Sequence, residues 1–441
     1  MKNEQFISWC DRAMAFSFYA LIYFLPISIA LSETFTGLAL LFYLLKRGGI
    51  FYRDLKQKSS KGIDLPIWKK GYEFLKAYKP VDNCLNRPIT IFLLFNFISI
   101  FLSEHPNVSF EGFMGKSLQS AFLYFNFIEC INSRKRLKIF LTILLVSCLL
   151  ICANGFYQYF EGHGFIHGCM YSGRMASSLR QANDFAAYLV VVIPILFGLF
   201  VTGVCKQKQI DAQQLPDSFT THFCKLKILT FIVFVLAVVC LGLTYSRGAW
   251  IGFFLSLAVF GVTNRKMFLP FVLVTVIFFS VFYPRLTEKR IPINDAKSFK
   301  EQNNRLGYWK RALDIIKDYP VFGSGLNTYS LVSQRYTVGW GGYPHNSYLQ
   351  LTSETGIVGI SIFLWMLIAL FTSSFQARKK IKVQSLRILL LGFSTGLLGF
   401  LIHSFFDTSF YSVQLGSLLW IVIGLVISVQ KIGALESAAN S

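Results

Sequence analysis

Three short stretches, far apart in the chain, hold the residues best suited to chemistry. Residues 344–360 read PHNSYLQLTSETGIVGI, with His345 and Asn346 just ahead of a Gly-Ile-Val-Gly step that runs into an apolar segment. GRMASSLRQANDFAAYL, 173–189, supplies Arg174, Arg180 and Asn183, and TYSRGAWIGF, 244–253, sets Arg247 in a tight turn between two apolar blocks. A guanidinium presents a planar fork of N–H donors that matches phosphate oxygens in pairs. An arginine at a membrane edge is costly unless it snorkels or meets an anion. Together the stretches point to a site that handles a diphosphate. Each also has a plain structural use: Arg247 anchoring a helical hairpin, Arg174 and Arg180 as solvated loop charges, His345 capping a helix or packing on Tyr343 and Tyr348. The choice depends on whether the fold gathers them.

The elements that must do so are membrane helices. Of 441 residues 54% are apolar and 46 are Phe, and the apolar residues come in long blocks. A helix crossing the hydrocarbon needs about 20 such residues, because its backbone must satisfy itself internally. Reading the blocks gives an all-α integral membrane protein of about twelve transmembrane helices, at roughly 13–30, 32–46, 88–104, 110–131, 138–160, 182–203, 227–245, 248–263, 267–284, 356–375, 387–407 and 412–430. The first two nearly touch, as do the seventh and eighth, and are expected to form hairpins with tight outer turns. The net charge of +21 is largely a matter of orientation. With the N-terminus inside, the inner connections carry 26 of the 43 Lys and Arg. That asymmetry places both termini in the cytoplasm. The first segment lacks a basic leader with a small-residue cleavage site and reads as a retained helix.

Three regions follow: 1–284, with spans one to nine and the outer-rim arginines; 285–355, a large outer loop with His345; and 356–441, the last three spans and a tail. The loop looks ordered. NNRLGYWKRALDIIKDYP carries Leu306, Trp309, Leu313 and Ile316 at helical spacing, with Asn303 or Asn304 as N-cap, and ends before Pro320. A short helix is expected from His345 to about Thr355, with Gly356 as the break before the tenth span.

Lesser signals carry less. GFMGKS ends like a phosphate-binding loop, but Phe110 stands where its first glycine belongs. His403 and Asp407 are four apart, hence on one helix face near the outer end of span eleven; they could orient a substrate group, with a helix-end pair the first reading. Glu354, nine residues after His345, falls on the opposite helix face and reads as structural. No Cys/His spacing resembles a zinc site. On this topology Cys169 is the one external cysteine, which excludes an external intramolecular disulfide.

The pattern His345-Asn346, nine residues, then Gly-x-x-Gly resembles the signature of the O-antigen ligase and O-antigen polymerase superfamily. SRGAWIG is similar to the family's Ser-Arg-Gly turn. RMASSLRQAN, with Arg174 nine before Asn183, resembles its Arg to Asn-Asp-x-x-Ala-x-Tyr stretch. RLGYWKRALDIIKDYPVFGSGLNTY resembles its large outer loop, where a helix precedes Pro-x-x-Gly-x-Gly. Two departures stand out. The ligases' Arg-x-x-x-Leu loop element is absent between 285 and 355, Arg311 with Ile315 being nearest, and Arg180 replaces a family glycine.

The resemblance implies a glycosyltransferase of the bacterial inner membrane that moves a glycan from undecaprenyl diphosphate to an acceptor hydroxyl on the periplasmic face, using no cofactor, nucleotide or metal and binding no nucleic acid. O-antigen onto lipid A core is the first reading; a repeat-unit polymerase or a protein O-oligosaccharyltransferase is the second. A glycan flippase or transporter fits less well, because transporters set ionisable groups near the midplane. Under this reading His345 is the general base, since histidine titrates near neutrality. Arg247 and Arg174, with Arg180 in addition, hold the diphosphate; Asn346 and Asn183 support them.

Overall fold

In the computed structural model, residues 2–60, 66–170, 173–204, 218–263, 268–290, 296–336 and 342–439 are described below. The helices are α1 (Lys2–Phe24), α2 (Ile29–Ser59), α3 (Ile67–Ala77), α4 (Asn86–Leu102), α5 (Pro106–Gly112) and α6 (Gln119–Cys130), with a π-helical turn over Phe113–Leu118 joining the last two. There follow α7 (Arg134–Glu161), α8 (Ala182–Val204), α9 (Ser218–Lys225), α10 (Lys227–Leu243), α11 (Arg247–Thr263) and α12 (Phe268–Arg290). The C-terminal part has α13 (Ala296–Asp318), α14 (Tyr329–Val332), α15 (Ser347–Lys380), α16 (Gln384–His403) and α17 (Val413–Ala439).

The protein is a multi-pass membrane protein built of helices. Six of them, α2, α7, α8, α15, α16 and α17, are long and apolar enough to cross a membrane; α9 and α10, bent by 62°, make a seventh if they form one span. Shorter apolar helices are α4, α11 and Leu273–Pro284 of α12. The core lies around α8, which is buried along most of its length and packs on α16, α10 and α11. In hydrocarbon, helices associate by close packing where side chains are small. Here Gly252 of α11 meets the backbone of Gly399 in α16, and Gly396 meets that of Val191 in α8.

The two ends of the bundle differ. At one, Lys46 bridges Asp11 and Glu129, both at 2.7 Å, while Arg47 pairs with Glu129, Arg136 with Asp11 and Arg134 with Glu436. From there the 28 residues of α7 run about 42 Å at 1.5 Å per residue. They end at Gly162, whose φ of +81° turns the chain back. Residues 162–170, 173–181, 244–246, 342–347 and 404–412 gather at that far end.

Several expectations need correction. Ser28 caps α2 after a tight turn and α1 packs closely on α2, so the first hairpin holds. The second keeps its tight turn, 244–246, but its two helices diverge: α10 leans on α8 and α7, while α11 leans on α16, where Gly252 meets Gly399. The outer-loop helix ends before Pro320 as expected but begins at Ala296, so Asn303 and Asn304 lie inside it rather than capping it. The helix expected to start at His345 starts at Ser347, with the Asn346 side chain accepting from the N–H groups of Tyr348 and Leu349 at 3.0 Å. The break at Gly356 is present, with φ +67° and ψ −175°, and only a residue without Cβ fits there against Val321 and Gly323.

Candidate active site

Two buried amides on α7 shape the loop that carries Arg174. Asn154 accepts from the Ile166 N–H at 2.8 Å and donates to Ser177 Oγ at 3.2 Å. Gln158 accepts from the N–H groups of Ala176 and Ser177 at 3.0 and 2.8 Å. Unpaired amides at this depth would be costly, so these bonds fix the loop. Arg174 then reaches across: Nε donates to Thr244 O at 2.8 Å, and a terminal nitrogen donates to Asn183 Oδ1 at 2.6 Å. Asn183, in the first turn of α8, donates to Asp407 Oδ2 at 2.7 Å. The other oxygen of Asp407 accepts from Thr408 N at 2.8 Å and lies 3.3 Å from His345 Nδ1. Arg174, Asn183, Asp407 and His345 thus form one chain of hydrogen bonds.

His345 is held from both sides. Trp309 Nε1 on α13 donates to Pro344 O at 3.0 Å. Ser347 N donates to Ser404 O at 2.8 Å and Asp407 O at 3.1 Å, and its hydroxyl donates to Asp407 O at 2.8 Å. Between these anchors His345 takes φ +47°, uncommon for a residue with a Cβ and one of the forms in which strain collects at functional sites. The result aims a half-exposed imidazole, its side chain 40% accessible, at a carboxylate only 12% accessible. Burial works to raise the Asp407 carboxyl, but the hydrogen bond from His345, the nearby His403 ring and the Thr408 N–H outweigh it and hold the group at about 2. Asp407 is therefore ionised near neutrality and can only accept. Nδ1 of His345 must carry the proton, which leaves the Nε2 lone pair to take another.

Arg247 is the first residue of α11, follows Tyr245 at φ +50°, and is exposed. Its neighbour Gly248 packs against Phe406, beside Asp407, so the turn that carries Arg247 borders the network. Among the described residues it makes no hydrogen bond or ion pair. Arg180 is also exposed, in the bend before α8, and its charge acts on Asp184. The fold therefore brings His345, Asn346, Arg174, Asn183 and Arg247 to one end of the bundle, with Arg180 on its edge.

Two residues of this neighbourhood were misread or missed in the sequence. Asp407 is no helix-end partner of His403: α16 stops at His403, and the turn after it carries Asp407 to His345. The reading failed because it extended the helix four residues too far. His403 is buried below, its ring nitrogens unbonded among the described residues, in the field of Asp407, Arg174 and Arg305. Arg305, exposed on α13, is the missed one. It stands four residues before Trp309, whose indole holds Pro344 beside His345.

Residues 232–364, which include Arg247, Arg305 and His345, match the family model described as O-antigen ligase. Over those residues the chain is similar to the O-antigen ligase family. A Rickettsia typhi protein named "Putative polysaccharide ligase" is 23% identical over 333 residues, covering 70% of this chain and 73% of that one. A protein of the same name from Rickettsia conorii is 23% identical over 151 residues, 31% of this chain and 37% of its own length. A Haemophilus influenzae protein named "Uncharacterized protein" is 26% identical over 221 residues, 43% of this chain; the match spans about half, 54%, of that relative. The family match covers Arg247, α13 and His345 but stops short of Asp407 and begins after Arg174, so the hydrogen-bonded chain joins matched and unmatched parts of this molecule.

Proposed function

We propose that this protein is an inner-membrane glycosyltransferase that moves a glycan from undecaprenyl diphosphate to an acceptor hydroxyl on the periplasmic face, with O-antigen as the glycan and lipid A core as the acceptor. The observation that carries the reading is the hydrogen-bonded chain from Arg174 through Asn183 and Asp407 to His345. In this reaction Nε2 of His345 takes the proton of the acceptor hydroxyl as its oxygen attacks the anomeric carbon. The bond from that carbon to the diphosphate oxygen breaks, and the electron pair leaves with the lipid diphosphate. Asp407 stabilises the imidazolium that forms and keeps the ring in the reactive tautomer, a division of labour familiar from other carboxylate–histidine pairs. The Arg247 and Arg174 guanidinium charges oppose the growing charge on the diphosphate, and Arg180 and Arg305 add positive potential around it.

The topology that goes with this reading has twelve crossings: α1, α2, α4, the α5–α6 segment, α7, α8, α10, α11, α12, α15, α16 and α17. Both termini and the ion-paired end then face the cytoplasm, where the basic connections belong, and the histidine end faces out. The test of donor and acceptor is the lipopolysaccharide of a deletion strain. Free core with accumulated lipid-linked polymer is the expected pattern; core bearing a single repeat would instead assign the protein as a polymerase.

A further inference from the structure

Lys116 is the middle residue of the Gly-Lys-Ser stretch that reads like a fragment of a phosphate loop, and the structure gives it another partner. The helix from Pro106 to Cys130 is π-wound over Phe113–Leu118. A π-turn shifts the register of the side chains that follow, and such turns often accompany functional sites. Here Lys116 Nζ reaches Asn327 Oδ1 at 2.6 Å and lies 4.4 Å from the centre of the Tyr411 ring. On the other side of Asn327 is Glu354, 1% accessible, whose carboxylate accepts from the N–H groups of Asn327 at 2.8 Å and Tyr329 at 3.3 Å and from Gln350 at 3.4 Å. Lys116 and Glu354 act on each other electrostatically. Between them the turn 323–329 is laid against α15: Ser324 N and Gly325 N donate to the carbonyls of Ser353 and Glu354 at 2.9 and 3.0 Å. Asn327 itself sits at φ +64°.

A lysine and a glutamate in such a place are expensive to keep, and replacing such a pair by apolar groups is often neutral or stabilising. Stability alone does not account for them. What they do hold is geometry. Glu354 is on the same short helix, before the Gly356 break, that begins at the Asn346 cap beside His345. Tyr411 follows Asp407 by four residues, and Phe410 N donates to Ser347 Oγ at 3.3 Å. The pair therefore grips the far end of the segment whose near end presents the His345–Asp407 pair.

We propose that Lys116 and Glu354 are positioning residues: a clamp of half-buried ammonium and buried carboxylate, joined through Asn327, that locks the 323–329 turn onto α15 and so fixes His345 against Asp407. The inference rests on the transfer reading only for its activity readout.

The experiment uses purified full-length protein in lipid nanodiscs, with amide exchange of residues 323–329 measured without substrate and transfer measured with a lipid-diphosphate glycan. In Lys116→Met, exchange of the Asn327 and Tyr329 amides should accelerate by about tenfold or more, and kcat should fall by about tenfold or more with the donor KM unchanged, since loss of positioning acts on the transition state. Lys116→Arg should restore both. Lys116→Met with Glu354→Gln should be less impaired than Lys116→Met alone, because no unpaired buried charge remains. Wild-type exchange and kcat in Lys116→Met would overturn the clamp, and so would losses in the double variant equal to the product of the two single losses. If Lys116→Met does not insert, the arginine and double variants decide: recovery of insertion and turnover in both supports the clamp, and failure in both overturns it. A wild-type protein without transfer activity would remove the transfer reading and leave the exchange measurement to judge the clamp by itself.

Discussion

Replacing Asp407 by asparagine keeps the size of the side chain and one accepting oxygen but removes the charge that sets the histidine tautomer. In the folded protein the Asp407 carboxyl is held at about 2 against an ordinary 3.8, so its surroundings favour the carboxylate by about 2 kcal/mol. That figure is the net of burial, which opposes the charge, and of the His345 hydrogen bond, the His403 ring and the Thr408 N–H, which favour it, with the His345 bond at 3.3 Å the largest favourable part. An amide in its place can turn its NH2 toward Nδ1, which moves the ring proton to Nε2, the atom that must be free. The loss expected is about 100-fold to 10,000-fold in kcat. The donor KM should stay close to wild type, because Asp407 lies behind the imidazole and not against the diphosphate. The assay is transfer from a lipid-diphosphate glycan by purified Asp407→Asn protein, with membrane level and thermal unfolding measured alongside. Wild-type kcat would refute the tautomer argument. A loss that follows only a fall in folded protein would refute it too, reducing Asp407 to a staple for the Ser347 backbone.

Other consequences are direct. Arg247→Lys keeps a charge but loses the fork and should lower transfer clearly at normal membrane level; full activity in Arg247→Ala would remove this arginine from the mechanism. Arg174→Ala should cost more than Arg180→Ala, since Arg174 bonds Thr244 and Asn183 while Arg180 is exposed at the edge, and transfer rates of the two variants in the opposite order would reverse the assignment. Single cysteines at positions 300 and 340 should react with an impermeant reagent outside sealed cells while those at 60 and 380 do not; labelling at 60 would overturn the topology. Transfer should proceed with EDTA present and ATP absent, and a requirement for either metal or ATP would contradict a mechanism run by arginine and histidine.

The sequence shows what local rules can show. Long apolar blocks mark helices because a buried backbone has no other way to satisfy itself, and blocks such as 182–203 agree with α8 almost to the residue. Gly356 announced its break because only glycine takes that conformation cheaply. Boundaries set by polar capping are legible where the cap is local, as at Asn346, and are misplaced where the helix runs past the polar candidates, as it does from Ala296. The partner of His345 was hidden for a different reason. Asp407 is 62 residues away and lies in a turn that helical periodicity reads as helix. Asn154 and Gln158, which hold the Arg174 loop, carry no sequence signal, since a buried amide in a span shows its purpose only beside the backbone it bonds. Lys116 drew attention as part of a spurious phosphate loop, and its contacts with Asn327 and Tyr411 depend on a π-turn that no spacing rule anticipates.

The central claim, that His345 is the general base of a glycan transfer from a lipid diphosphate, is tested most directly by the turnover of purified His345→Ala protein on undecaprenyl diphosphate glycan. Its membrane level and donor binding should match the wild type, and its transfer rate should fall by about 100-fold to 10,000-fold. Turnover near that of the wild type would contradict the account.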